Sequence, residues 1–88
     1  MATLIFADAF VDALADIQSE RLYRKILTLV SYLATMPEMG SPTVPDAARR
    51  RFGDGVRKLV VSPFDILYIY DAELDEVHVD GLVHQHAL

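Results

Sequence analysis

Hydrophobic and polar positions along the chain recur with two periods, and these predict its secondary structure. The apolar run at residues 4–6 predicts a short opening strand. Two later stretches carry apolar residues at helical spacing. They are Phe10, Val11, Leu14 and Ile17 in the first, and Leu22, Ile26, Leu29, Leu33 and Met36 in the second. Asp8 and Ser19 are the predicted N-caps of these helices, and Pro37 ends the second.

The second half of the chain predicts three strands, at residues 56–61, 64–70 and 77–83. Because their links are short, we expect an antiparallel meander. The middle strand is apolar on both faces, so it should be central, with both faces covered or one face left for a partner. Residues 37–55 form an irregular connection rich in proline and glycine, with a short helical turn expected at 46–52. The prediction is one α+β domain spanning residues 1–88, with the order β-α-α-β-β-β and a helical hairpin packed on an antiparallel sheet.

The composition of the chain indicates that it binds a partner. The chain has 88 residues, enough for one domain, and 52% of them are hydrophobic. Its mean hydropathy is +0.24. So many apolar residues in so small a domain indicate an apolar surface used by a partner or by a second copy of the chain, a homodimer. A well-filled core with a few ordinary exposed apolar residues is the alternative.

Charge and cysteine usage exclude several classes of function. The net charge is −5, and residues 59–88 carry acids but no Lys or Arg, so a general nucleic-acid footprint is excluded. An anion site must lie on the middle segment, where the bases are Arg49, Arg50, Arg51, Arg57 and Lys58. The absence of cysteine excludes disulfides, thiolate catalysis and Cys-based zinc sites, and it suits the cytoplasm. We expect no secretory signal, no membrane contact and no cofactor.

Three phrases of the sequence resemble the RelE/ParE superfamily of toxins. Residues 33–40 match a Leu-x-x-x-Pro-x-x-Gly phrase that ends a helix. Arg57 opens a strand that turns into an aromatic-rich strand at residues 64–70. The last strand ends in an apolar residue, one more residue and a histidine, here residues 82–84. Together the phrases span nearly the whole chain in the usual order.

The resemblance implies a toxin of a type II toxin–antitoxin system, of the kind associated with plasmid stabilization and growth inhibition. It would be held inactive by a cognate antitoxin protein. Its target would be DNA gyrase, as in the ParE branch, or mRNA cleaved on the ribosome, as in the RelE branch. Two alternatives from other classes are a protein-binding module that has kept the fold and lost the activity, and a small hydrolase using His84.

Cleavage of mRNA needs cations on the phosphate and groups that exchange protons. The candidate catalytic residues are Arg57, His84 and Tyr68, with Tyr70 as an alternative aromatic residue. The candidate phosphate- or target-binding residues are Lys58, Arg49, Arg50, Arg51 and His86. Arg57 and Lys58 point to opposite faces of one strand, so at most one of them serves a single site.

Structural roles compete with each of these assignments. Arg57 could instead pair with an acid such as Asp65 or Asp80, and Tyr68 and Tyr70 could be core residues. His86, near the chain end, is expected to be solvated, and the run of three arginines at 49–51 could be an ordinary solvated turn.

Two departures from the family pattern weigh against RNA cleavage. Asp65 stands where RNA-cleaving members have a basic residue, and a carboxylate there would repel a phosphate. The arginines that often follow the terminal histidine are also missing, because Gln85 and His86 follow His84. Asp65 therefore implies that the chain either cleaves RNA poorly or belongs with the ParE-like branch. A metal site on His78, Asp80, His84 and His86, which alternate along one predicted strand, is disfavoured because ligands on a straight strand lie too far apart to close a tetrahedron.

Overall fold

The computed structural model describes residues 1–86 of the chain. Along these residues the elements are β1 (Thr3–Phe6), α1 (Asp8–Ala15), α2 (Glu20–Tyr32), α3 (Asp46–Phe52), β2 (Arg57–Val61), β3 (Phe64–Asp71) and β4 (Glu76–His84). The predicted order of strands and helices is confirmed, and the expected helical turn at residues 46–52 is α3. None of the helices formed by residues 1–86 is long and apolar enough to cross a membrane.

The helix ends match the sequence signals in part. Ser19 caps α2 as predicted, because its Oγ accepts a hydrogen bond from the backbone N–H of Leu22 at 3.2 Å. The prediction for Asp8 is wrong: Ala7 is the N-cap of α1, without a side-chain hydrogen bond, and Asp8 is the first helical residue. There its carboxylate still lies at the positive end of the helix dipole.

The sheet has four strands in the order β1-β4-β3-β2. The predicted meander is confirmed, because β2, β3 and β4 pair antiparallel in sequence order. β1 pairs with β4 in parallel, so the sheet as a whole is mixed and not purely antiparallel. The long helical connection after β1 permits this, since it carries the chain across the sheet before the meander begins.

A bulge in β4 interrupts its alternation. Tyr68 on β3 lies opposite Val79, whereas the preceding Leu67 lies opposite Gly81, so Asp80 is an extra residue on β4. Side chains before and after Asp80 therefore fall on faces that simple alternation would assign wrongly.

Both faces of the sheet are covered, which is the first of the two arrangements that the apolar middle strand predicted. On one side, called here the hairpin face, α1 and α2 bury Phe10, Ile26, Val30 and Leu33 against Leu59, Val61, Ile66, Tyr68, Val77, Val79 and Leu82. On the other side, called here the α3 face, the core consists of Val44, Ala48, Val56 and Leu67, with Phe52, Ile69 and Val83 packed against it. Functional side chains can thus lie on either of two separate surfaces.

Candidate functional site

Arg57 lies at the start of β2 on the hairpin face, opposite Tyr68. Its Nη1 donates to the backbone oxygen of Gly40 at 2.8 Å and to that of Glu38 at 3.3 Å. Its Nη2 lies 4.0 Å from Glu38 Oε2, and the side chain is 26% exposed. The acid that Arg57 faces is thus Glu38, and neither Asp65 nor Asp80 as expected. The guanidinium holds the segment after α2 against the sheet and keeps only part of its hydrogen-bonding capacity for a ligand.

Tyr68 lies in the core. Its side chain is fully buried, and its hydroxyl accepts a hydrogen bond from the backbone N–H of Gly40 at 2.8 Å. Burial raises the pKa of the phenol, and the hydrogen bond from Gly40 opposes that shift. No base could stack on this ring in the present conformation. The structural interpretation of Tyr68 is therefore the one that the geometry supports.

Tyr70, two residues further along β3, is half-buried at the wall of two clefts. One cleft of about 480 Å³ is lined by Met1, Ala2, Ala34, Thr35, Pro37, Tyr70 and Asp75. A second cleft, of about 260 Å³, is lined by Glu38, Gly55, Arg57, Tyr70 and Ala72. The Tyr70 hydroxyl donates to Asp75 Oδ1 at 2.8 Å, and this hydrogen bond raises the pKa of the phenol. Tyr70 was predicted as the alternative to Tyr68, and its ring is the accessible one of the two.

His84 and His86 lie together at the other end of the sheet, both exposed. The His84 ring meets Phe64 edge-on at a centroid distance of 5.6 Å, and the two imidazole rings are 5.3 Å apart. The backbone N–H of His86 donates to His84 Nδ1 at 3.3 Å. In the neutral imidazole this places the proton of His84 on Nε2. Exposure of His86 was expected; its contact with His84 was not.

The structure does not bring Arg57 and His84 together. Arg57 lies opposite Tyr68 on β2, and His84 lies opposite Phe64 on β4, so the two flank β3 at positions four residues apart. At ~3.3 Å per residue, this separates them by about 13 Å along the sheet in addition to two strand spacings. The buried residues Leu59 and Ile66 lie between them on the same face. The predicted catalytic set Arg57, Tyr68 and His84 is therefore spread from one end of the sheet to the other.

Lys58 and Asp65 lie on the opposite, α3 face. Lys58 pairs with Leu67, and Asp65 pairs with Val60 on one side and Val83 on the other. Asp65 is 7% exposed, and its Oδ1 accepts a hydrogen bond from Gln85 Nε2 at 3.3 Å. Because Asp65 faces away from Arg57 and His84, its repulsion of a phosphate applies to the surface of Lys58. The expected repulsion by Asp65 therefore does not apply to a phosphate held by Arg57 or His84.

The three consecutive arginines occupy the last turn of α3, where cations complement the helix dipole. Arg49 donates to Asp46 Oδ1 at 2.9 Å, and the guanidinium of Arg51 lies 5.0 Å from the centre of the Phe52 ring. Arg50 is exposed. Together with Lys58, these residues place positive charge on the α3 side of the sheet, whereas His84 lies on the hairpin side.

The bulge also separates the side chains of the disfavoured metal site. His78 lies opposite Ile69 on the α3 face, and His84 lies opposite Phe64 on the hairpin face. The sequence placed them on one face because it assumed unbroken alternation, and that assumption is wrong. His78 Nε2 lies 3.1 Å from Glu76 Oε1. Residues 1–86 contain no group of three or more metal-ligating side chains that could hold an ion.

Comparisons with known proteins relate the chain to solved structures only. No family model matches the sequence, and no curated protein matches it. The chain is similar to one in the crystal structure of the intact E. coli RelBE toxin–antitoxin complex, with a TM-score of 0.71, 14% identity and coverage of 96% of both chains. It is also similar to one in the toxin–antitoxin complex RelBE2 from Mycobacterium tuberculosis, with a TM-score of 0.74, 18% identity and coverage of 94% of this chain and 96% of that one. The chain thus has the RelE-like α+β fold.

Proposed function

We propose that the chain is the toxin component of a type II toxin–antitoxin system, acting in the cytoplasm as one domain of residues 1–88. The observation that carries this proposal is the fold. It matches chains solved within toxin–antitoxin complexes over 94–96% of its length. The three sequence phrases of the RelE/ParE superfamily support it independently. Growth inhibition, and through it plasmid stabilization, would follow from release of the toxin.

The partner that neutralises it is a cognate antitoxin. The surface offers apolar side chains for such a partner, since Tyr23 and Leu27, one helical turn apart on α2, are 37% and 39% exposed. Further exposed apolar residues on the described surface are Val11, Tyr32, Met36, Met39 and Val60. An amphipathic helix of the antitoxin laid over α2 would bury Tyr23 and Leu27 together.

DNA gyrase is the target that the site geometry favours. Cleavage of mRNA needs a cation and a proton donor within reach of one phosphate. Arg57, Tyr68 and His84 do not converge in that way. Arg57 is engaged with Gly40 and Glu38. Tyr68 is buried, and His84 lies at the far end of the sheet. A toxin that blocks gyrase needs only a complementary protein surface. The cations of that surface would be Lys58, Arg49, Arg50 and Arg51, of which Arg50 and Arg51 are exposed.

Cleavage of mRNA on the ribosome is the second candidate, and the pair His84 and His86 favours it. Two exposed imidazoles with rings 5.3 Å apart could hold and donate a proton at one site. Phe64, edge-on to His84, supplies an aromatic surface beside them. In this version the site lies at the end of β4, and Arg57 takes no part.

Induced expression tests the proposal, with and without any short reading frame that is found beside the gene. A toxin arrests growth when expressed alone, and co-expression of its antitoxin restores growth. Arrest with induction of the DNA-damage response and no cut mRNA supports gyrase, and arrest with mRNA cut during translation supports the second candidate. Soluble, folded protein that does not arrest growth would overturn the toxin assignment and leave a protein-binding module with this fold.

A further inference from the structure

The outer edge of the sheet at β1 carries backbone groups without a partner. The N–H of Thr3 donates to Asp75 O at 2.9 Å, and the N–H of Ala7 donates to Val79 O at 3.0 Å. In a parallel ladder this spacing turns the odd-numbered residues of β1 toward β4. Leu4 and Phe6 therefore direct their N–H and C=O groups away from the sheet. Within residues 1–86 no backbone group lies beyond them to pair with.

The backbone N–H that precedes β1 on this edge already has a partner. The N–H of Ala2, which also points outward, donates to Ala34 O at the end of α2 at 2.7 Å. Within β1, Leu4 and Phe6 are thus the residues whose N–H and C=O groups are both open to an added strand. The opposite edge differs, because Lys58 on β2 already exchanges both of its backbone hydrogen bonds with Ser41, each at 2.9 Å.

The β1 edge is also apolar and uncharged. Residues 1–7 contain no Asp, Glu, Lys or Arg, although the chain as a whole carries a net charge of −5. Ile5 and Phe6 are 36% and 42% exposed. Edge strands of soluble proteins are usually protected by charges, proline or a covering element, and β1 has none of these over Leu4 to Phe6. Such an edge is stable in water when another strand covers it.

We propose that the strand covering β1 is β1 of a second copy of this chain, antiparallel across a two-fold axis. Only one register uses both open residues and leaves Ala2 bonded to Ala34. In it Leu4 of each copy exchanges hydrogen bonds with Phe6 of the other, and the axis passes through Ile5. The two sheets then form one continuous sheet of eight strands, four from each copy.

Electrostatics favour this occupant. Two acidic chains repel each other, so they associate most readily where neither carries a charge, and residues 2–7 provide that surface. Ile5 faces its own copy as a non-hydrogen-bonded pair, with Cα atoms about 4.5 Å apart. Both members are apolar, as cross-strand pairs prefer. Tyr23 and Leu27, which we assign to the antitoxin, lie outside this pairing. The dimer proposal therefore does not depend on the proposed toxin function.

A charge placed on Ile5 tests the register. The full chain, made by cell-free synthesis, should behave in analytical ultracentrifugation as a particle of twice 9.8 kDa. Ile5→Lys and Ile5→Glu each place like charges opposite one another and should raise the dissociation constant of the dimer about tenfold or more. Mixing the two variants should restore a dimer, because opposite charges then face each other. Leu74→Lys, at a 65% exposed position in the β3–β4 turn, is the control and should leave the dimer unchanged.

Amide exchange separates this edge from any other dimer surface. The N–H groups of Leu4 and Phe6 should exchange more slowly at concentrations that favour the dimer, and as fast as an open edge in Ile5→Lys. Circular dichroism on each variant confirms that it is folded. A wild-type chain that remains a monomer overturns the proposal. So does a dimer that survives both Ile5 variants, or one in which the N–H groups of Leu4 and Phe6 stay unprotected. None of these readouts depends on toxicity.

Discussion

The hydroxyl of Tyr68 and the backbone N–H of Gly40 are joined by a buried hydrogen bond of 2.8 Å across 28 positions of the chain. This bond fixes the segment after α2 to the middle of the sheet. Arg57, opposite Tyr68, holds the same segment through Gly40 O. Two residues that the sequence offered as catalytic thus anchor a connection.

Removal of the Tyr68 hydroxyl should therefore lower stability. Tyr68→Phe keeps the ring in the core but leaves the N–H of Gly40 buried and without a partner. We expect the free energy of unfolding to fall by about 1–3 kcal/mol, measured by urea denaturation. Tyr32→Phe, at a 45% exposed ring, is the matched control and should change little. Equal stability of the wild type and Tyr68→Phe would show that the bond to Gly40 has no net value.

The approach of Gly40 to Tyr68 leaves no room for a side chain. A Cβ at Gly40 would lie 2.6 Å from the Tyr68 hydroxyl oxygen and 2.9 Å from Lys58 O. Neither group can move freely, since one is buried and the other is backbone. Gly40→Ala should destabilise by about 1–3 kcal/mol in thermal or urea unfolding.

Gly55 provides the control, since a Cβ there would meet nothing within 4 Å. Gly55→Ala should be neutral or stabilising by up to about 1 kcal/mol. A Gly40→Ala variant as stable as Gly55→Ala would mean that Gly40 and Tyr68 are not packed as described.

The contribution of Arg57 to the free energy of unfolding can be measured independently of toxicity. Arg57→Met keeps the aliphatic stem and removes the hydrogen bonds to Glu38 and Gly40. We expect a loss of about 1–3 kcal/mol in the free energy of unfolding. Arg50→Met, at an exposed position of α3, should stay within about 0.5 kcal/mol of the wild type. If Arg57→Met is as stable as the wild type, the hydrogen bonds of Arg57 do not contribute to stability, and Arg57 is again a candidate for binding a target.

Asp80, the bulged residue of β4, makes stability depend on pH. Burial raises the pKa of its carboxyl, and the nearby His78 opposes that shift. The folded state therefore keeps this proton to a higher pH than the unfolded chain does. Stability from this group is complete below the unfolded pKa and is lost as the pH rises through the folded pKa.

Asp80→Asn removes this pH dependence. The variant should be more stable than the wild type at neutral pH, and the difference should vanish below about pH 3.9. Denaturation curves across this range measure it, with Asp54→Asn, at an exposed loop position, controlling for the loss of one negative charge. A wild type that stays as stable as Asp80→Asn at neutral pH would contradict the raised pKa.

Local patterns were sufficient to predict the elements, because helical and strand periodicity depend on neighbouring residues. Pairing was less accessible. The parallel partner of β1 and the bulge at Asp80 are set by contacts between distant segments, and the bulge alone moved His84 to the face opposite His78. For the same reason the sequence could not show that Arg57 meets Glu38, which lies 19 positions away in an irregular connection. The spacing of Tyr68 with Phe64 and Ile66 did indicate a core position.

The most direct test of this account is growth after induction of His84→Ala, compared with the wild type at equal soluble amounts. His84 is exposed, so the substitution should leave the fold intact. If toxicity comes from a protein surface that acts on gyrase, the variant should arrest growth as fully as the wild type, and the antitoxin should relieve both. The gyrase account would be contradicted if folded His84→Ala no longer arrests growth while the wild-type protein cuts mRNA.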